Sequence, residues 1–243
     1  MNLRTLVVMP TYNEISNLHS MIQRIQTSNP QVDILVVDDN SPDGTGQAAQ
    51  KLADSDTSVF VLHRPGKGGL GAAYRAGFAW GIDHKYDVLV EMDADGSHQP
   101  EQLPLLLEAI PDADLVLGSR WVPGGSVVNW PLSRKILSLG GNLYTRIMLG
   151  ISVKDATGGF RAFKVETVHK IGLLSATAQG YVFQVDNTFR TARAGLKIVE
   201  VPIEFVERVS GVSKMSKNIV VEAMLQVTVW AWKYRFLRRP IGS

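Results

Sequence analysis

The 243-residue chain has no cysteine. That excludes disulfides, thiolate nucleophiles and cysteine-ligated zinc. Long apolar runs are missing too: no stretch reaches the roughly 18 clean apolar residues of a membrane-spanning helix. The N-terminal run from Leu6 to Met9 is stopped by Pro10 and is too short for the core of a secretory signal. A cytoplasmic location is therefore expected. No internal repeat, low-complexity tract or interdomain linker stands out. Net charge is small, +2 from 25 basic and 23 acidic residues, but it is unevenly laid. From Arg208 to Ser243 seven basic residues stand against one acid, Glu222, which leaves residues 1–207 at −4. Such a cationic end is either a solvated tail or a docking surface for something anionic.

What is present is an alternation of strand-like and helix-like segments. Apolar runs at Leu6 to Met9, Ile34 to Val37, Val59 to Leu62, Val88 to Met92 and Leu115 to Leu117 read as strands buried on both faces. Between them, spacings such as Ile15, Leu18, Ile22 and Ile25 read as helices. The pattern predicts an α/β fold with a mostly parallel central sheet flanked by helices. Ligands of such sheets bind beyond the carboxyl ends of the strands. After Gly118, the stretch from Arg120 to Pro131 is rich in Gly, Pro and Trp and reads as a loop. Helices are expected near Ser133 to Met148 and Val182 to Ala194, with a short strand at Ile198 to Val201.

Three predicted strand ends gather unusual residues. At Pro10-Thr11-Tyr12-Asn13-Glu14 a strand stops at proline. At Asp38-Asp39-Asn40-Ser41-Pro42-Asp43-Gly44-Thr45, Ser41 and Pro42 suit a helix N-cap and first turn. Helix capping does not explain two adjacent aspartates at a buried strand end, where desolvation is costly without donors or a ligand. At Asp93-Ala94-Asp95-Gly96-Ser97-His98, two carboxylates spaced i, i+2 leave the sheet on one side and can share a hard cation. Mg²⁺ or Mn²⁺ takes one or two carboxylates and bridges to substrate phosphates. The competing reading is a turn held by Asx hydrogen bonds. Gly66-Lys67-Gly68-Gly69-Leu70-Gly71 matches a dinucleotide-binding fingerprint, but it follows the third strand rather than the first.

Together these motifs resemble family 2 glycosyltransferases of the GT-A fold. The later runs Gly118-Ser119-Arg120, Asp155 to Arg161, Gly180 to Gln184 and Arg208 to Lys214 look like the branch of dolichyl-phosphate mannose synthases and bacterial polyprenol monophosphomannose synthases. The resemblance implies a metal-dependent, inverting mannosyl transfer from GDP-mannose to a polyprenyl monophosphate. Pro10, Tyr12, Glu14, Val37 and Asp39 would hold the guanosine. Asp93, Ala94 and Asp95 would meet the diphosphate and sugar, with Asp95 the main ligand of Mg²⁺ or Mn²⁺. Ser97 stands where some relatives complete the metal shell with Gln, and Gly96 replaces a usually larger residue, which would loosen the turn. Arg120, Arg134, Arg208 and Lys214 fall where the family places cations for phosphates. Asp93, Asp95, Arg120, Arg208 and Lys214 are the expected catalytic set.

The chemistry is self-consistent. Donor and acceptor bring roughly three to four negative charges into one cleft, and arginines with one divalent metal offset them. A phosphate monoester ionises with a second pKa of about 6, so the nucleophile needs no general base. No convincing base is evident in the chain. The expected layout is a GT-A domain over 1–218 and an amphipathic segment with a basic tail over 219–243. In that segment Trp230, Trp232, Tyr234 and Phe236 alternate with Lys233 and Arg235. It suits a membrane interface, a helix packed on the core, or both. Peripheral attachment at the cytoplasmic membrane face, with a possible separate integral-membrane partner and no nucleic acid, completes the expectation. The alternatives are a UDP-glucose-dependent enzyme on the same lipid and a catalytically silent nucleotide-sugar adaptor.

Overall fold

The computed structural model describes residues 3–178, 180–207 and 217–236. In chain order the elements are β1 (Thr5–Thr11), α1 (Ile15–Ser28), β2 (Asp33–Asp38), α2 (Thr45–Ser55), β3 (Val59–His63), α3 (Leu70–Asp83) and β4 (Val88–Glu91). They continue with α4 (Leu103–Ala109), β5 (Leu115–Ser119), β6 (Ser126–Val128), α5 (Leu132–Leu149), β7 (Arg161–Lys164) and α6 (Val165–Lys170). α7 (Gly180–Arg193), β8 (Ile198–Pro202), β9 (Glu204–Val206) and α8 (Lys217–Trp230) follow, and α8 runs on into a π-helical turn, Ala231–Phe236.

Seven strands form one sheet in the order β3-β2-β1-β4-β7-β5-β8, parallel throughout except for β7. Strand side chains alternate between two cores. Leu6 and Val8 of β1 face a cluster with Tyr74, Phe78, Phe163, Phe183 and Phe189. Val7 and Met9 face the opposite cluster with Leu18, Ile22, Ile25, Leu103 and Leu106. Burial on both faces is why these strands read as unbroken apolar runs. β6 and β9 pair in a separate parallel ribbon over the edge of the sheet's carboxyl end.

The structure departs from the sequence expectation in four places, one being β6, which forms inside the stretch from Arg120 to Pro131 that reads as a loop. β1 does not stop at Pro10 but pairs through it to Thr11. The Val8 carbonyl accepts from Met92 N–H, so residues of that parity face β4. The last β1–β4 pair is Val8 with Glu91, so Pro10 lies beyond β4's reach and its missing N–H costs no ladder bond. Ser41 and Pro42 do not open α2, which begins three residues later at Thr45. The Asp43 carboxylate accepts from the N–H and hydroxyl of Thr45, and this Asx turn delays the helix. Finally, β7 slips antiparallel between β4 and β5, in a stretch with no apolar run to announce it.

α3 packs so closely on β1 and β2 that Gly77 has no room for a side chain. A Cβ there would lie 2.4 Å from Val8 Cγ1 and 3.1 Å from Val37 Cγ2, both in fully buried strands. Gly77→Ala is expected to destabilise the protein by about 1–3 kcal/mol, overpacking outweighing the gain in helix propensity. Urea denaturation at unchanged m-value measures this.

The C-terminal segment packs on the core, as one of its sequence readings has it. Val227, Trp230 and Ala231 are buried in the core cluster, while Leu225 and Val229 are exposed. Among the described residues, no helix is long and apolar enough to cross a membrane.

Candidate active site

The chain steps outward from β1 to β2 and β3, then crosses back through α3 to β4 on the other side of β1, so a crevice opens at the carboxyl ends of β1 and β4. Tyr12, Asn13 and Glu14 line one lip, after β1. Asn13 takes a positive φ of 62° and its N–H donates to Ser41 Oγ. Glu14 N–H donates to Thr45 Oγ1, and the Glu14 carboxylate accepts from Asn17. The Lys67 ammonium sits 4.2 Å from the centre of the Tyr12 ring.

The two adjacent aspartates at the end of β2 do different work. Asp38 is buried and accepts from Thr11 Oγ1, Ser41 N–H and Ser41 Oγ at 2.6–3.0 Å. These bonds staple the first two strand ends together, so Asp38 is structural. Asp39 pairs with the Arg64 guanidinium and accepts from Gly68 N–H at 3.0 Å. The glycine-rich run is thus explained without a dinucleotide: its backbone turns to reach Asp39 and then starts α3. Val37 lies fully buried within β2, so its side chain belongs to the core.

Beyond β4, Asp93 Oδ1 accepts from Tyr74 OH at 3.1 Å, and Asp93 N–H donates to His98 Nδ1 at 3.0 Å. Burial, and then the Asp93 charge, push the Tyr74 phenol well above its usual range, so it stays a neutral donor. His98 is buried and stacked on Phe160 with ring centres 5.2 Å apart. Burial lowers its pKa below the ordinary value. With Nδ1 accepting, the proton of the neutral ring sits on Nε2. His98 is therefore a brace for the Asp93 backbone. Asp95 Oδ1 accepts from both the N–H and the hydroxyl of Ser97, at 3.0 and 2.6 Å. Gly96 between them has φ of 78°, in the left-handed region that favours glycine, and a Cβ there would meet nothing within 4 Å. Glycine is thus the residue this turn favours, and it does not loosen it.

Behind the acidic pair, Glu91 is fully buried and accepts from Gln184 Nε2 at 2.7 Å. Desolvation raises its pKa to about 7, with the Asp93 charge adding to the effect and Arg161 opposing it. Arg161, equally buried, donates to the carbonyls of Gly158, Gln184 and Ala156 and to Thr188 Oγ1. Desolvation brings it down to about 10. Neither side chain reaches the crevice.

On the far side, Arg120 follows β5 and is only 8% exposed. Its Nε and Nη2 fork binds both oxygens of Asp155 at 2.7 Å, and Nη2 also donates to Thr157 Oγ1. Asn142 of α5 ties the same loop, accepting Ala156 N–H and donating to Thr157 Oγ1. The Arg120 guanidinium is within 6 Å of the Trp121, Trp130 and Phe205 ring centres. Arg134, at the start of α5, pairs with Glu207 and lies 4.0 Å over Trp130. Arg208 and Lys214 lie outside the described residues.

The structure thus brings Tyr12, Glu14, Asp39, Asp93 and Asp95 to one crevice, with Arg120 and Arg134 across the β5 end, while the Ala94 side chain is buried in the core. The sequence does not single out Arg64, Lys67 or Tyr74 as supports of the crevice, or Asp155 as the anchor of Arg120, whereas His98, a lone loop histidine, reads as the hydrogen-bonding residue it is. Asp155 carried a signal, since it opens the run from Asp155 to Arg161; Tyr74 sits mid-helix and carried none. Among the described residues no three His, Cys, Asp or Glu side chains converge as a closed metal cage. Two hard carboxylates are nonetheless the donor set that Mg²⁺ or Mn²⁺ uses when phosphates and water supply the other ligands, so the residues fit such an ion.

Comparison with known proteins agrees with this geometry. The chain is 58% identical over 242 residues to an undecaprenyl-phosphate mannosyltransferase of Micrococcus luteus, covering 99% of this chain and 100% of that one. It is 53% identical to a polyprenol monophosphomannose synthase of Mycolicibacterium smegmatis, over 97% of this chain and 89% of the other. Among solved structures, a glucosyl-3-phosphoglycerate synthase of Mycobacterium tuberculosis, with Mn²⁺, UDP-glucose and phosphoglyceric acid, superposes with a TM-score of 0.67 at 21% identity. That match covers 94% of this chain and 80% of that one. A mannosyltransferase of Pyrobaculum calidifontis with GDP-mannose and Mn²⁺ gives 0.61 at 18%, covering 99% and 66%. The profile described as Glycosyl transferase family 2 matches residues 6–172, and the chain belongs to that family.

Proposed function

We propose that this protein transfers mannose from GDP-mannose to a polyprenyl monophosphate, with inversion, giving a β-linked polyprenyl phosphate mannose. The observation that carries the reading is near full-length identity of 58% to a curated undecaprenyl-phosphate mannosyltransferase, with both Asp93 and Asp95 in place at the end of β4.

Tyr12, Glu14 and Asp39 receive the nucleoside at the β1–β2 lip. Asp93 and Asp95 would hold a divalent ion, which would supply positive charge opposite the leaving diphosphate. Tyr74 and His98 fix Asp93, and Ser97 fixes Asp95, so Ser97 acts in the metal site at least through its carboxylate neighbour. Arg134, Arg208 and Lys214 meet the phosphates, while Arg120, braced by Asp155, sets the charge of the far wall. The acceptor phosphate attacks the anomeric carbon with an oxygen already ionised at neutral pH. The burial of Glu91 and the bracing role of His98 accord with a reaction that asks no side chain to remove a proton. Catalysis then rests on alignment and charge. A lipid acceptor places the protein at the cytoplasmic face of a membrane as a peripheral enzyme, alone or with an integral-membrane partner.

The test is transfer of radiolabelled sugar from GDP-mannose, and in parallel from UDP-glucose, to a short-chain polyprenyl phosphate with Mg²⁺ or Mn²⁺. Labelling from GDP-mannose that stops on chelation is expected. Labelling from UDP-glucose alone would remove the mannose assignment, and an α-linked product would remove inversion.

A further inference from the structure

α5 has two unlike sides. Asn142, Thr145 and Leu149 are buried, and Asn142 bonds the very loop that grips Arg120. Leu132, Ile136, Leu139 and Leu143 stand on a different side at spacings of four, three and four, one stripe of a helix. They are 71%, 61%, 42% and 53% exposed. α8 lies alongside, its Thr228 hydroxyl 2.6 Å from Tyr144 OH of α5, and it adds the exposed Leu225 and Val229. Isolated exposed leucines are ordinary, but six branched apolar side chains on two adjacent helices form a patch that a water-facing surface does not explain.

The charge around the patch indicates what covers it. α5 carries Lys135 and Arg146, with Arg134 paired to Glu207, and no acid; the turn that continues α8 adds Lys233. A second copy docked through the same face would set these like charges against each other. An anionic lipid surface neutralises them while taking up the apolar stripe.

We propose that the exposed face of α5, extended by α8, is a docking surface for an anionic lipid bilayer. The helix lies in the interface plane along its length of about 27 Å, its buried side bracing the reaction site and its outer side among lipids. This moves the main membrane contact from the basic C-terminal tail to α5. Its bearing on catalysis rests on the lipid-acceptor reading; the apolar face itself does not.

The experiment is co-sedimentation of the full chain with vesicles of phosphatidylcholine, alone or mixed with phosphatidylglycerol, at low and high salt. The wild type and Ile136→Ser/Leu139→Ser/Leu143→Ser are compared. The wild type is expected to sediment with the mixed vesicles, more strongly at low salt, and the triple variant to lose at least about tenfold in partitioning. Transfer to a water-soluble short-chain prenyl phosphate should stay within about twofold of wild type in the variant, showing that its fold and site are intact. Wild-type protein that ignores anionic vesicles, or a variant that binds them equally, overturns the proposal. So does a dimer in light scattering that the triple substitution dissolves, because a second copy then covers the face. Vesicle binding without transfer from any donor would leave the docking surface standing and defeat the reading of the reaction.

Discussion

Asp95→Asn is expected to lower sugar transfer by about a thousandfold while leaving the melting temperature within about 1 °C of wild type. The two halves of that expectation have separate causes. In the folded chain Asp95 Oδ1 accepts from Ser97 N–H and Ser97 Oγ, and the amide oxygen of asparagine can accept both in the same geometry, more weakly than a carboxylate. The turn over Gly96 therefore survives. What asparagine lacks is the negative charge, and a divalent ion on two carboxylates loses half of its protein-borne anionic charge. Titration with Mn²⁺, followed by isothermal calorimetry in the presence of GDP-mannose, should show a matching loss of metal affinity. Activity within about tenfold of wild type would show that Asp95 does not hold the ion. Unchanged Mn²⁺ affinity with abolished transfer would instead place its charge on the sugar or diphosphate directly.

Much of this architecture was legible before any coordinates, because strands buried on both faces must be apolar at every position. β1, β2, β4 and β5 all announced themselves that way, and their carboxyl ends marked the crevice. Legibility failed where tertiary bonding replaced hydrophobic pattern. β7 begins with Arg161, a guanidinium hidden among three carbonyls and a threonine hydroxyl; no local signal makes an arginine core-forming. Asp38 and Asp39 read as an equivalent pair, yet one staples strand ends and the other meets Arg64 and Gly68 from the β3 loop. Asp38 is held by Ser41, three residues on, and by distant Thr11, whereas both partners of Asp39 lie 25 or more positions away. The stripe on α5 was visible in spacing, but its exposure was not, since the same spacing serves a buried helix.

Asp155→Ala tests the least visible part of the site. Its carboxylate is fully buried and accepts from Arg120 N–H, Nε and Nη2, from Thr157 Oγ1 and from Asn142 Nδ2. Burial pushes its pKa up, but the charge and hydrogen bonds of Arg120, with Arg161 adding its charge, hold it below the ordinary 3.8. Removing the carboxylate leaves the Arg120 cation desolvated with its principal partner gone, which costs about 3–5 kcal/mol at neutral pH and lowers the melting temperature by roughly 6–20 °C. The sign of the pH dependence follows from linkage. A carboxylate whose pKa is depressed on folding contributes its full stability above its unfolded value and loses it as pH falls through the folded one. The gap between wild type and Asp155→Ala should therefore be widest near neutrality and close in acid, below the ordinary carboxylate range. Adding Arg120→Met to Asp155→Ala should recover part of the loss, since an apolar chain of similar length removes the stranded charge. Transfer should stay low in that double variant, because stability returns without the cation at the β5 end. A single variant melting within about 2 °C of wild type would mean that Arg120 swings out to water, and that Asp155 is not what fixes it.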